Sequence, residues 1–528
     1  MRRTGSKTGR LALAIAIPVL AFLSLASWAF ASPVGASPDD DFHLASIWCG
    51  LGERPGLCED PGDGSEARRI PTAVVSATCY VFKPEASADC WNPGVAGLSR
   101  VARANVDGLY PPVFYATMSV FASDDIPTSV LAMRLFNSAF AVGLLTAVFF
   151  ALPRWTRPAL VLSVLATCMP LGLFILASVN PSSWAILSGA VVWIAMYGVT
   201  QTSGRRRVVL AALTVFGALI GAGARADAAV YAVFAVGLAL ILGLRARRDA
   251  LIPGLIAVGV VVLSALFYLS ASQSGAVLSG LTDENPPLTS GQVIANALGV
   301  PTLWFGALGG WALGWLDTGM PATVNVLAVL VFCGALFVGV RRVHLRRGIA
   351  VALTVIALWA VPFVLLYQSH ALVGAQVQPR YILPLMVIAV GVASLRRDAE
   401  SSWNGGRLIF GGAALAVAFT IALHTDIQRY TTGTDELHLD PGGADAEWWW
   451  GAGPSSLVVW VGGSLAFAGI FVLLALLLPR QEREPSPAAL LVPAVDAETP
   501  AATGSLEPGS REPVDATSAA VPTSSTHS

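Results

Sequence analysis

The chain has 528 residues, of which 55% are hydrophobic and 12% charged, with 33 acids nearly balancing 32 bases. A soluble protein carries about 25% charged residues, so this composition excludes a water-soluble globule, a disordered chain and a coiled coil. The mean hydropathy of +0.67 makes lipid the solvent for most of the chain. The bases form short clusters between apolar runs, not a stripe, which argues against nucleic acid as a partner.

Twelve apolar stretches are long enough to cross about 30 Å of hydrocarbon as helices. They are 11–31, 128–151, 158–178, 182–200, 207–223, 227–244, 250–271, 322–340, 348–367, 380–395, 407–424 and 456–478. Residues 110–123 and 292–316, rich in Pro, Gly and Trp, read as interfacial or re-entrant pieces. Arg2, Arg3, Lys7 and Arg10 precede the first stretch. Basic clusters at 154–157, 205–207, 245–248, 341–347, 396–407 and 480–483 then fall at every second connection. The positive-inside rule places all of them, and both termini, in the cytoplasm of a multi-pass cell-membrane protein. Ala29-Phe30-Ala31 looks like a signal-peptide cleavage site. The run before it exceeds the usual signal core of about 7–15 residues, so an uncleaved span is expected.

The expected fold is therefore an all-α polytopic membrane domain over 1–479, with a large outer loop at 32–110 and a second at 425–455. Residues 480–528 are Pro, Ala, Ser, Thr and Glu without apolar periodicity, and read as a disordered cytoplasmic tail. Cys49, Cys58, Cys79 and Cys90 lie on the oxidising side and suggest two disulfides. Three connectivities are open, of which neighbour pairing is the simplest; zinc is the alternative, although no CxxC spacing supports it. Cys168 and Cys333 lie within spans and read as packing residues.

The residues that carry chemistry begin at Pro38-Asp39-Asp40-Asp41-Phe42-His43. Adjacent carboxylates repel, which raises the pKa of at least one of them. Such a group suits a general base or a divalent cation, with a solvated acidic turn as the competing reading. No cofactor is required by the sequence; a divalent cation is permitted. Tyr110-Pro111-Pro112-Val113-Phe114-Tyr115 forces an extended entry into an interfacial helix. Asn180-Pro181-Ser182 reads as a capped turn. Arg134, Arg225 and Arg380 break the positive-inside pattern, and charge at such depth faces a cavity or a partner. Arginine suits phosphate; Arg225 can instead pair with Asp227, and Arg134 can snorkel to the interface. Asp317, in Gly314-Trp315-Leu316-Asp317-Thr318, and His370 are candidates for a supporting or acceptor-side role, with a structural role as the alternative.

Together these segments resemble the bacterial membrane proteins grouped as domain of unknown function 2142. That family in turn resembles the C-superfamily glycosyltransferases, which use polyprenyl-phosphate sugars. The family's Pro-Asp-Glu-Pro-x-His appears as Pro38 to His43, with Asp40 for Glu and Asp41 for the second Pro. Its His-Pro-Pro-Leu-Tyr-Tyr appears as Tyr110 to Tyr115, its Asn-Pro-Asp as Asn180 to Ser182, and its Gly-Trp-Leu-Asp-Thr intact at Gly314 to Thr318. Gln-Gly-Arg-Tyr-Leu-Leu-Pro appears as Gln378 to Pro384.

The resemblance implies an inverting transfer of sugar from a polyprenyl-phosphate donor to a glycan or glycolipid acceptor of the cell envelope. Asp39 or Asp40 would be the base, supported by Asp41, His43 and Tyr110. Arg380, with Arg134 and Arg225 behind it, would hold the donor phosphate. A transporter or flippase for a lipid-linked saccharide, and a non-catalytic scaffold, are the alternatives. The former would more often show inverted repeats and interrupted midplane helices.

Overall fold

The computed structural model describes residues 7–244, 250–275, 285–341, 343–443, 446–451 and 453–477. The expected tail at 480–528 and the basic positions Arg2, Arg3, Arg245, Arg247, Arg248, Arg342, Arg480 and Arg483 lie outside them. The long helices are α1 (Lys7–Ala31), then, after the short α2 (Asp40–Trp48) and α3 (Val113–Ser119), α4 (Ile126–Ala151). There follow α5 (Arg157–Leu165), α6 (Leu171–Leu176), α7 (Ser182–Gln201), α8 (Gly204–Ala222), α9 (Ala226–Gly243) and α10 (Leu251–Ser270). The remainder are α11 (Ser290–Gly299), α12 (Pro301–Phe305), α13 (Ala322–Gly339), α14 (Leu345–Gln368), α15 (Pro379–Ser394), α16 (Gly406–Thr431) and α17 (Ser456–Leu477).

Among the described residues nine helical stretches are long and apolar enough to cross a membrane, and Ile15–Ala31 and Pro379–Ser394 are shorter apolar helices. In α7, 94% of the most apolar window is buried, against 17% in α10. The bundle is therefore centred on α7, which packs against α8, α9 and α15, while α10 lies at the periphery. Small residues permit the close approach of α7 and α15. A Cβ on Gly189 would lie 2.9 Å from Pro384 Cβ, and one on Gly391 would lie 2.3 Å from Trp193.

Three expectations are revised. The stretch 158–178 is not one helix but two, α5 and α6, because Pro170 lacks an amide donor and restricts the residue before it. Helix α16 continues to Thr431 instead of ending at 424, since Asp426, Gln428 and Arg429 are covered by the loops and not by water. Cys168 is buried as a packing residue, whereas Cys333 faces out of the bundle.

The helix ends form two faces. At one, Arg347 Nη1 donates to Leu395 O (3.1 Å), Arg396 Nη1 donates to Val338 O (2.6 Å), and Arg397 lies over the Trp155 ring. This is the basic end. At the other, Asn180 Nδ2 donates to Pro38 O (2.9 Å), Val113 N to Gly223 O (3.0 Å), and Trp450 Nε1 to Phe30 O (2.8 Å). This loop end is covered by residues 32–110, stiffened by an antiparallel ribbon of β1 (Arg68–Pro71) and β2 (Leu98–Val101). Neighbour pairing holds for the cysteines: Cys49–Cys58 and Cys79–Cys90 are the two disulfides.

Residues Ser290–Gly310 are long enough to cross, yet both ends meet the loop end. Asn285 Nδ2 donates to Ser369 O (3.0 Å) before them, and Trp315 Nε1 donates to Gly35 O (2.9 Å) after them. A capping box of Thr289 and Gln292 starts this segment, and Gly309 at φ 90° turns it back.

Candidate functional site

Helix α2 begins at the mouth of the loop end. Its N-cap, Asp39, takes the left-handed conformation (φ 60°), which is costly outside glycine and persists only where the surroundings hold it. What holds it is charge. Asp39 Oδ2 accepts from Arg380 Nη2, and Asp39 Oδ1 lies 3.4 Å from Arg103 Nη2. Burial alone would raise the Asp39 carboxyl, but the Arg380 guanidinium, with further help from Arg103, brings it down to about 2. It is thus ionised at neutral pH, with 27% of its side chain exposed.

The neighbouring acids have different surroundings. Asp40 is fully buried; its Oδ2 accepts from Ser37 N (3.0 Å), closing the turn that leads into α2. Burial pushes its carboxyl up to about 7, against the pull of Arg134 and the Ser37 hydrogen bond. Asp41 accepts from Arg103. His43 is buried, its Nδ1 within 2.9 Å of Tyr115 Oη, and burial lowers its pKa to about 3, so the ring is neutral. Tyr110 completes the aromatic packing, 5.7 Å from His43 and 5.4 Å from Phe42.

Arg380 is in the first turn of α15, placed there by Gln378-Pro379, whose extended entry starts the helix. Only 2% of its side chain is exposed. Its Nη2 binds Asp39, while Nε and Nη1 have no hydrogen-bond partner among the described residues. An unpartnered Nε recurs on Arg54, Arg134 and Arg429, whereas an unpartnered buried Nη1 is found on Arg380 alone among the arginines of the described residues. Beside Arg380 is a small surface depression walled by Leu171, Gly306, Trp311, Leu316 and Pro379.

The other two arginines are already engaged. Arg225 forms a bidentate pair with Asp227 (2.9 and 2.8 Å), donates to Ser182 Oγ (3.3 Å) and lies over the Tyr381 ring at 4.8 Å. Arg134 does not snorkel; it is buried and donates to Ala29 O (3.2 Å), Ser32 O and Pro33 O (2.7 Å), capping the end of α1. Asp317 is tied to Arg429 (3.0 Å) and accepts from Phe82 N (3.3 Å), fastening the 313–318 turn to α16 and to the disulfide loop. His370, at the end of α14, has its Nδ1 within 3.1 Å of Asn285 O and makes no described contact with the acid cluster.

Two participants were absent from the sequence expectation. Arg103 sits in an exposed loop without a motif, and Arg429 on a stretch read as loop. Among the described residues no three His, Cys, Asp or Glu side chains converge as a metal site would. Asp39 and Asp41 are instead matched by guanidinium groups.

Residues 22–389 match the model of a family of predicted membrane proteins, DUF2142, and the chain belongs to that family. The match includes α2, the Asn180 turn, the 313–318 turn and the start of α15. No curated protein matches the chain.

Proposed function

We propose that the protein transfers a sugar, with inversion, from a polyprenyl-phosphate donor to a cell-envelope acceptor at the loop end. The observation that carries this reading is Arg380: buried, paired through one nitrogen with an ionised carboxylate, with two further donors unpartnered, and lining a small depression at the loop end. That arrangement suits a phosphate next to a base.

In the proposed reaction the acceptor oxygen attacks the anomeric carbon as its proton passes to Asp39. The new C–O bond forms while the bond from the anomeric carbon to the phosphate oxygen breaks, and the electron pair leaves with the polyprenyl phosphate. Arg380 balances that charge in a dry surrounding, where it counts most. Asp40 has no access to an acceptor and positions α2; Asp41 holds Arg103. Arg225 and Arg134 act through Tyr381 and the end of α1, not on the phosphate.

The reading includes a topology. Counting α5 and α6 as one passage, and Ser290–Gly310 as re-entrant, gives twelve crossings with every described basic cluster at one end. The positive-inside rule puts that end and both termini in the cytoplasm.

The direct test of the phosphate assignment is Arg380→Gln, assayed for sugar transfer from a set of polyprenyl-phosphate sugars. A rate lower by about 100-fold or more is expected from losing a charge aimed at the leaving group. Turnover equal to wild type, in protein of normal expression and intact disulfides, would refute it.

A further inference from the structure

Asp39 has two carboxylate oxygens, and each meets one guanidinium. Oδ2 is bound by Arg380, with a side chain 2% exposed, and Oδ1 by Arg103, with a side chain 58% exposed. A base must present an oxygen to the acceptor hydroxyl. The buried partner cannot withdraw without leaving a charge in the interior; the exposed one can.

The loop that carries Arg103 is itself fastened. Asn105 N donates to Ser46 Oγ (2.8 Å) on α2, and the Asn105 side chain brackets Tyr110 by accepting from its N (2.7 Å) and donating to its O (2.9 Å). The motion available is therefore that of the guanidinium, now bonded to Asp41 and Asp39 and 5.8 Å from the Phe42 ring centre. Arg103 also lies only one carboxylate away from Arg380 and its unpartnered donors.

We propose that Arg103 is a displaceable positioning residue. It covers Asp39 Oδ1 until a donor phosphate draws its guanidinium away, and so frees that oxygen only when a donor is bound. The inference rests on the transfer reading for the identity of the anion. The charged and titratable groups facing Asp39 are Arg380 from α15, Arg103 and Tyr110 from the loop, Tyr115 from α3, and Asp40, Asp41 and His43 from its own helix. Releasing Arg103 removes one of the two guanidinium groups and makes the carboxylate a stronger base.

Two arms test this on the full chain in nanodiscs. In the first, carboxyl groups are coupled to glycine ethyl ester with a carbodiimide and mapped by mass spectrometry. Arg103→Ala is expected to raise modification of Asp39 at least fivefold, Arg103→Lys to stay near wild type, and Asp63 to be unchanged. Modification of Asp39 at the wild-type level in Arg103→Ala overturns the shielding. In the second, Arg103→Ala is expected to bind undecaprenyl phosphate about tenfold more weakly and to shift the acid limb of the kcat/KM profile upward. Unchanged affinity and acid limb overturn the displacement. If the wild type transfers no sugar, the transferase reading fails, while the first arm still decides whether Arg103 shields Asp39.

Discussion

At the residue scale, three consecutive acids receive three different environments within one turn of helix. Asp39 is ionised between two guanidinium groups, Asp41 is paired at the surface, and Asp40 is enclosed. The folded protein holds the Asp40 carboxyl near 7, against an ordinary 3.8. Its contribution to stability is fully present below the unfolded value and is lost as pH rises through about 7. Asn mimics the protonated acid, so Asp40→Asn should match the wild-type Tm near pH 4 and exceed it by several degrees at pH 8, measured on detergent-solubilised protein. A wild-type Tm equal to that of the variant at pH 8 would show that burial does not raise this carboxyl. The residue types of this site were legible from the chain: a carboxylate run, and an arginine at the wrong depth. Which acid is accessible was not, because adjacent positions on a short buried helix differ only in the neighbours that the fold brings to them.

At the element scale, the site depends on α15 carrying Arg380 to Asp39, and α15 is placed by close packing on α7. Gly189 faces the Pro384 backbone (3.0 Å from Cα to a Cβ built there). Gly189→Val should therefore push α15 outward, reducing both Tm and transfer; transfer kept at wild-type Tm would exclude this route. The second fastening is the Asp317–Arg429 pair, 5% and 0% exposed. Asp317→Ala leaves the guanidinium buried without its acid and should cost about 3 kcal/mol, read as a lower Tm and faster proteolysis of the disulfide loop. The break between α5 and α6 was signalled by Pro170, but the apolar run across it concealed the signal. Arg429 was hidden differently: its polar neighbours marked the stretch as solvent-exposed, and only the folded loop shows them to be covered.

At the scale of the whole molecule, the near-zero net charge conceals a polarised bundle. Described basic clusters gather at one end, and the acid-rich segments with both disulfides at the other. This polarity was readable because positive residues recur at alternate connections whatever the packing between them. A membrane-impermeant maleimide applied to intact cells should label Lys83→Cys at the loop end and not Arg206→Cys at the basic end; the reverse pattern would invert the topology. The central claim, that Asp39 is the base of a sugar transfer, is tested most directly by comparing Asp39→Asn with Asp40→Asn in a transfer assay from polyprenyl-phosphate sugars, at matched protein level and intact fold. The account predicts that Asp39→Asn loses about 100-fold or more while Asp40→Asn stays within roughly fivefold of wild type, as expected for a positioning group that remains hydrogen-bonded. Full turnover by Asp39→Asn would contradict it.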